Sequence, residues 1–194
     1  MSNEYETSVQ QRLFENRIIY LSGEVKNEYA DYVVSRLLTL DSIDHQAEIK
    51  LYLSSYGGGV YPGLAIYDAM QIVEAPVATF CLGPAFSMAA WLLAAGEPGR
   101  RCATPNSRIM LHQVSGGMMG TSADVRVAAQ NMLNNDRLMT EILARHCHRT
   151  VEEVTQVIQR DLWMTPEEAR DFGVIDSIAE FSPRKRAFAV TGGD

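Results

Sequence analysis

Three residues of this sequence have the types and surroundings needed for nucleophilic acyl transfer: Ser87, His112 and Asp161. Ser87 stands in Gly83-Pro84-Ala85-Phe86-Ser87-Met88-Ala89-Ala90-Trp91, where an apolar strand-like run ends at Leu82 and a helix of small residues begins about at the serine. A hydroxyl at such a junction is exposed, and the positive end of the helix dipole favours negative charge developing beside it. The same position suits a serine that merely caps the helix. It is not the Gly-x-Ser-x-Gly elbow, because Ala85 and Ala89 hold the flanking places. A nucleophilic serine needs a base. Of four histidines, His45 lies in a polar loop, and His146 and His148 flank Cys147 at a helix C-terminus. There a favourable placement of positive charge on the helix dipole explains them better than a metal, since no second ligand pair stands at zinc-site spacing. His112 sits near the end of a strand-like run, where α/β folds carry their sites; a core histidine is the alternative. Asp161 follows a capped helix and precedes apolar Leu162-Trp163-Met164, although composition alone does not select it from the other acids.

A glycine run, Ser54-Ser55-Tyr56-Gly57-Gly58-Gly59, follows a strand and precedes a helix. Such a run can turn sharply and aim N–H groups at an anion, as an oxyanion hole, an anion nest or a plain turn. No Gly-Lys-Ser/Thr follows, and Rossmann spacing is absent.

The elements that must position these residues alternate between short strands and helices, which predicts an α/β domain. Strands are expected at Arg17–Leu21, Glu48–Ser54, Pro76–Leu82 and Arg108–Gln113. Helices are expected at Glu28–Leu40, Pro62–Glu74 and Asp124–His146, the last a long amphipathic one. Thr150 with Glu153, and Thr165-Pro166 with Glu168, are capping boxes opening two more helices, over Val151–Arg160 and up to Gly173. No composition break divides the 194 residues, so one domain is expected, with a short segment 1–6 and a tail over 182–194. With 46% hydrophobic and 21% charged residues and a net charge of −7, the protein lacks the basic surface that nucleic acids or anionic membranes need. The one basic cluster, Arg184-Lys185-Arg186, falls in the tail, and no stretch is apolar for long enough to span a bilayer. Three cysteines without framework spacing fit a reducing, cytoplasmic compartment.

Taken together, the segments resemble the Clp protease proteolytic subunit family (ClpP), from about Tyr5 to Ile178. The blocks that carry the resemblance are Ile66-Tyr67-Asp68-Ala69-Met70-Gln71, Phe86-Ser87-Met88-Ala89-Ala90, Pro105 through Gln113, Met164 through Ala169, and Gly173-Val174-Ile175-Asp176. The resemblance implies a crotonase-like fold of repeated ββα units with a protruding strand–helix handle built from Gln113–Thr121 and the start of the long helix. It implies a Ser87–His112–Asp161 triad, with the N–H groups of Gly58 and Met88 as oxyanion hole. It further implies two stacked heptameric rings around a chamber, unfolded substrates delivered by an AAA-type Clp ATPase, and no cofactor or metal. A pocket containing Tyr52 and Phe80 corresponds to the ATPase-docking site.

Several positions depart from the family pattern. Tyr56 replaces a usual proline, and Phe86 replaces a small residue before the nucleophile. Val157 and Gln159 stand where relatives carry acids, although Arg160 is kept. Lys50, Cys102, Thr104 and Ala179 thin the docking pocket, and few residues precede the matching region to form an axial loop. These changes suggest a subunit that docks an ATPase poorly alone and works beside a second ClpP-type subunit. The alternatives are a non-catalytic structural subunit of a mixed barrel, and an acyl-CoA enzyme of the same fold.

Overall fold

The structure, a computed structural model, describes residues 2–181. The tail 182–194, with its basic cluster, lies outside the described residues. The elements run α1 (Ser2–Glu15), β1 (Ile18–Val25), α2 (Asn27–Ile43), β2 (Ile49–Gly58), α3 (Val60–Ile72), β3 (Val77–Phe86), α4 (Met88–Ala94), β4 (Arg101–Ala103), β5 (Arg108–Leu111), α5 (Ser122–His146), α6 (Val151–Val157), β6 (Leu162–Met164), α7 (Pro166–Phe172) and β7 (Ser177–Ile178). The mixed α/β organisation is the expected one.

β1 and β2 alternate buried and more exposed residues along much of their length, as strands with one face on a core must. The sheet runs β1-β2-β3-β4-β7 in parallel, and β5 joins β3 in parallel while pairing β6 antiparallel. β3 has different neighbours along its length: residues 79–81 pair with β4, and residues 84–86 pair with β5. The sheet therefore forks at Gly83, whose positive φ of 84° suits glycine. Ile19, Leu21, Leu51, Leu53, Leu92, Leu93, Ile109, Leu111 and Leu143 form the fully buried centre. α4 is buried over its whole length, which its small and apolar residues Met88-Ala89-Ala90-Trp91-Leu92-Leu93-Ala94 permit.

β4, β6 and β7 are two or three residues long, too short for alternation to reveal them in sequence. The sequence does not signal α1 either, because its residues are mostly polar; its Phe14 packs on the core. Both expected capping boxes form, and Gly173 ends α7 in the left-handed conformation. α6 stops at Val157, short of the expected Arg160, because buried Ile158 caps it and the backbone turns back into β6. Residues 113–121, the strand part of the expected handle, form no strand, and among the described residues no strand pairs with them. α5 begins at Ser122 with a Thr121–Asp124 capping box; its early residues Val127 and Leu133 are exposed, whereas Met139, Ile142 and Leu143 are buried.

Candidate active site

The parallel strands β2, β3 and β5 converge with their carboxyl ends on one place, the usual location of a site in such sheets. β3 delivers Ser87. Its backbone adopts φ 50° and ψ −132°, a strained combination for a residue with a Cβ, and its N–H donates to the Met110 carbonyl at 2.8 Å. Although Ser87 holds the N-cap position of α4, its hydroxyl makes no capping bond. It hydrogen-bonds His112 Nε2 instead, at 2.8 Å. The capping alternative for Ser87 is thereby excluded, and His112 is not a core histidine bonded to backbone. The strained strand-to-helix turn reproduces the nucleophile-elbow conformation without the Gly-x-Ser-x-Gly glycines.

β6 delivers the region of Asp161. The antiparallel pairs Ile109↔Met164, Met110↔Trp163 and Leu111↔Leu162, continued by one step, set His112 opposite Asp161. Because side chains alternate, both fall on the face that carries Met110 and Trp163. Directly opposite residues bring their Cβ atoms to within about 5.5 Å. Among the described residues, no hydrogen bond joins the Asp161 carboxylate to His112, and Asp161 is exposed. Two of the three candidate residues thus touch, and the third stands one pair beyond the end of the β5–β6 ladder.

β2 delivers the glycine run. Buried Ser55 accepts a hydrogen bond from the Gly57 N–H at 3.1 Å and donates one to the Gly23 carbonyl, which locks the turn. Gly57 has φ 93°, and a Cβ there would stand 2.7 Å from the Phe86 carbonyl and 3.1 Å from the Met88 nitrogen. Gly58 has φ 155°, and its Cβ would stand 2.4 Å from the Val25 carbonyl oxygen. The glycines are therefore needed for close approach, a demand that the run does not disclose in sequence. Gly58, Ser87, Met88 and His112 line a cavity of about 90 Å³ whose wall includes Val60, Trp91, Val114 and Met139. The Trp91 indole donates to the Met139 carbonyl at 2.7 Å and fixes that wall. The Met88 N–H, first in its helix, makes no backbone hydrogen bond. A larger groove of about 830 Å³ adjoins the cavity and shares Val60, Val114 and Ser115 with it, running beside the start of α5.

The remaining candidates lie elsewhere. Tyr52 and Phe80 pair across β2 and β3 and stack at 4.8 Å, with Cys102 next to Phe80 in the following strand. His146 corrects an expectation. Rather than a cation resting on the end of α5, it packs edge-on to Tyr67, shares a 3.1 Å hydrogen bond with the Tyr67 hydroxyl, and has its pKa pushed down to about 4. Burial is the main cause, with the Arg101, Arg145 and His148 charges adding to it. Arg101, 5% exposed, forms an ion pair with Asp176 at 2.6 Å and also donates to the carbonyls of Ala94, His146 and Gly173. This knot pins the ends of α4, α5 and α7 behind the site. The thiols are all free, and burial pushes Cys81 up to about 11 and Cys147 up to about 12, away from nucleophilic use.

Among the described residues, no helix is long and apolar enough to cross a membrane. In comparison with known proteins, the family model described as Clp protease matches residues 1–182.

Proposed function

The chain belongs to the Clp protease family, and from that premise we propose a serine endopeptidase that cuts unfolded polypeptides with Ser87, His112 and Asp161. One observation carries this reading: the 2.8 Å bond between Ser87 Oγ and His112 Nε2, made by a hydroxyl free of any capping duty. His112 takes the Ser87 proton as Oγ attacks the peptide carbonyl, and it then gives that proton to the departing amine. Water hydrolyses the resulting ester by the same route. Asp161, facing His112 by register, orients the imidazole and stabilises its protonated form. Gly58 and Met88 N–H groups take the tetrahedral oxyanion; losing one such donor costs about 10²–10³ in rate. The cavity of about 90 Å³ receives the side chain on the acyl side, and the adjoining groove receives the residues that precede it.

Family membership also supports a ring-shaped assembly of subunits enclosing a chamber, fed by an AAA-type Clp ATPase. The stacked pair Tyr52 and Phe80 is our candidate docking surface for that partner. The test is peptidase activity of purified protein on short fluorogenic peptides, with Ser87→Ala as control and size-exclusion alongside. Ser87-dependent turnover by a ring-sized particle is the expected result. A folded, assembled protein that neither turns over peptide nor accepts a fluorophosphonate, alone or with a second ClpP-type subunit, would instead mark a structural subunit.

A further inference from the structure

Four strands place one residue each in a row beside the catalytic pair. Ser55 and Ala85 pair and are buried, so Tyr56 and Phe86, which follow them, face the opposite way. Phe86 pairs with Met110, and Met110 pairs with Trp163. The rings meet edge to face: Tyr56 against Phe86 at 5.4 Å and 73°, and Phe86 against Trp163 at 4.9 Å and 78°. Such contacts hold aromatic side chains in defined orientations. Yet Tyr56 remains 72% exposed and Trp163 54% exposed. Their outer surfaces thus stay open to a ligand while their inner edges pack on Phe86.

The position of this row gives it a direction relative to the chemistry. Phe86 immediately precedes Ser87. Met110 lies two residues before His112 on the same strand face, so the aromatic row and the His112 row are adjacent, about 6.6 Å apart along the strands. None of Tyr56, Phe86 and Trp163 lines the cavity at Ser87, whose apolar wall is Val60, Trp91, Val114 and Met139. The imidazole must hand its proton to the leaving nitrogen, so the leaving side of a substrate passes over the face that carries His112. The row occupies that face.

We propose that Tyr56, Phe86 and Trp163 form a leaving-side substrate subsite that favours an aromatic or long apolar residue just after the scissile bond. This rests on the peptidase reading above. An extended substrate that passes over the row sets such a side group against the open faces of Tyr56 and Trp163, in the edge or offset geometry that aromatic pairs prefer. Small leaving groups do not reach it, so the row sets selectivity among polypeptide substrates while leaving the acyl side to the other cavity.

The test uses internally quenched peptides with a common acyl side, carrying either phenylalanine or glycine just after the scissile bond. The selectivity, the ratio of kcat/KM for the two, is read for the unaltered protein and for Trp163→Ala, Tyr56→Ala and Trp163→Phe. Trp163→Ala lowers the ratio about tenfold, and Trp163→Phe keeps most of it. A variant that lowers both substrates equally, leaving the ratio intact, would show a merely structural role and overturn the proposal. A second readout needs no turnover. Trp91 is 4% exposed, so acrylamide quenching of tryptophan emission reports mainly on Trp163. In the assembled Ser87→Ala protein, the phenylalanine peptide shields Trp163 from acrylamide and the glycine peptide does so much less. Equal shielding by both peptides, or a Trp163 already inaccessible without peptide, refutes the subsite. If no substrate is turned over in a Ser87-dependent way, the peptidase reading fails, and this quenching result judges the row by itself.

Discussion

Gly57 lies so close to Ser87 that a Cβ on the glycine would stand 2.7 Å from the Cβ of the serine. The contact joins two turns that are far apart in sequence, one ending β2 and the other ending β3. It leaves the strained serine backbone no room to move toward β2.

Gly57→Ala therefore forces either the serine turn or the glycine turn to shift, on top of the cost of a positive φ. We expect a loss of about 1–3 kcal/mol in stability, read as a lower melting midpoint. A displacement of Ser87 by about 1 Å slows fluorophosphonate labelling by about 100-fold. Labelling at the unaltered rate would mean that the contact does not position the nucleophile.

Asp161→Asn tests the register argument. The substitution keeps the shape of the side group but no longer stabilises a protonated His112, and we expect turnover to fall by about 10⁴. Size-exclusion should give the same elution as the unaltered protein. Turnover within a factor of about ten of normal would remove Asp161 from the triad, whatever its place opposite His112.

His146 gives the stability of the fold a pH dependence. Its pKa is pushed from 6.5 to about 4 by burial first, and then by the Arg101, Arg145 and His148 charges around it. Between those two pH values the unfolded protein binds a proton that the folded protein refuses, so stability is full above pH 6.5 and declines as pH falls toward 4. An NMR titration should find the His146 ring neutral at about pH 5.5, with its midpoint near 4. His146→Gln should flatten the drop in melting midpoint between about pH 7 and pH 5. A ring that protonates at 6.5 or above would contradict the half-buried placement beside Arg101.

Much of this molecule was legible in its sequence. Strands at Glu48–Ser54 and Pro76–Leu82 follow from short apolar runs, and helices at Pro62–Glu74 and Asp124–His146 from a period of about 3.6, whereas the continuation of β2 to Gly58 and of β3 to Phe86 does not show in the sequence. The capping boxes at Thr150 and Thr165 were readable for a different reason: they are satisfied by residues three positions away, so their chemistry is local. Ser87 and His112 were singled out by residue type and by their places at the ends of apolar runs, whereas Asp161 was chosen among the acids only through the family resemblance.

Tertiary structure alone decided what those residues do to one another. Whether Ser87 caps α4 or bonds His112 depends on which side group arrives across the fork of the sheet, and that partner comes from 25 positions further on. The glycine run reads in sequence as an oxyanion hole, an anion nest or a plain turn alike; that Gly57 and Gly58 must admit the backbones of β3 and β1 appears only once those strands are side by side. His146 carries the same lesson in charge. Its neighbours in sequence suggested a cation at a helix end, but Arg101, brought from 45 residues away, and burial beside Tyr67 keep it neutral. The aromatic row is the clearest case, for Tyr56, Phe86 and Trp163 have no spacing in common, and only the register of four strands makes them neighbours.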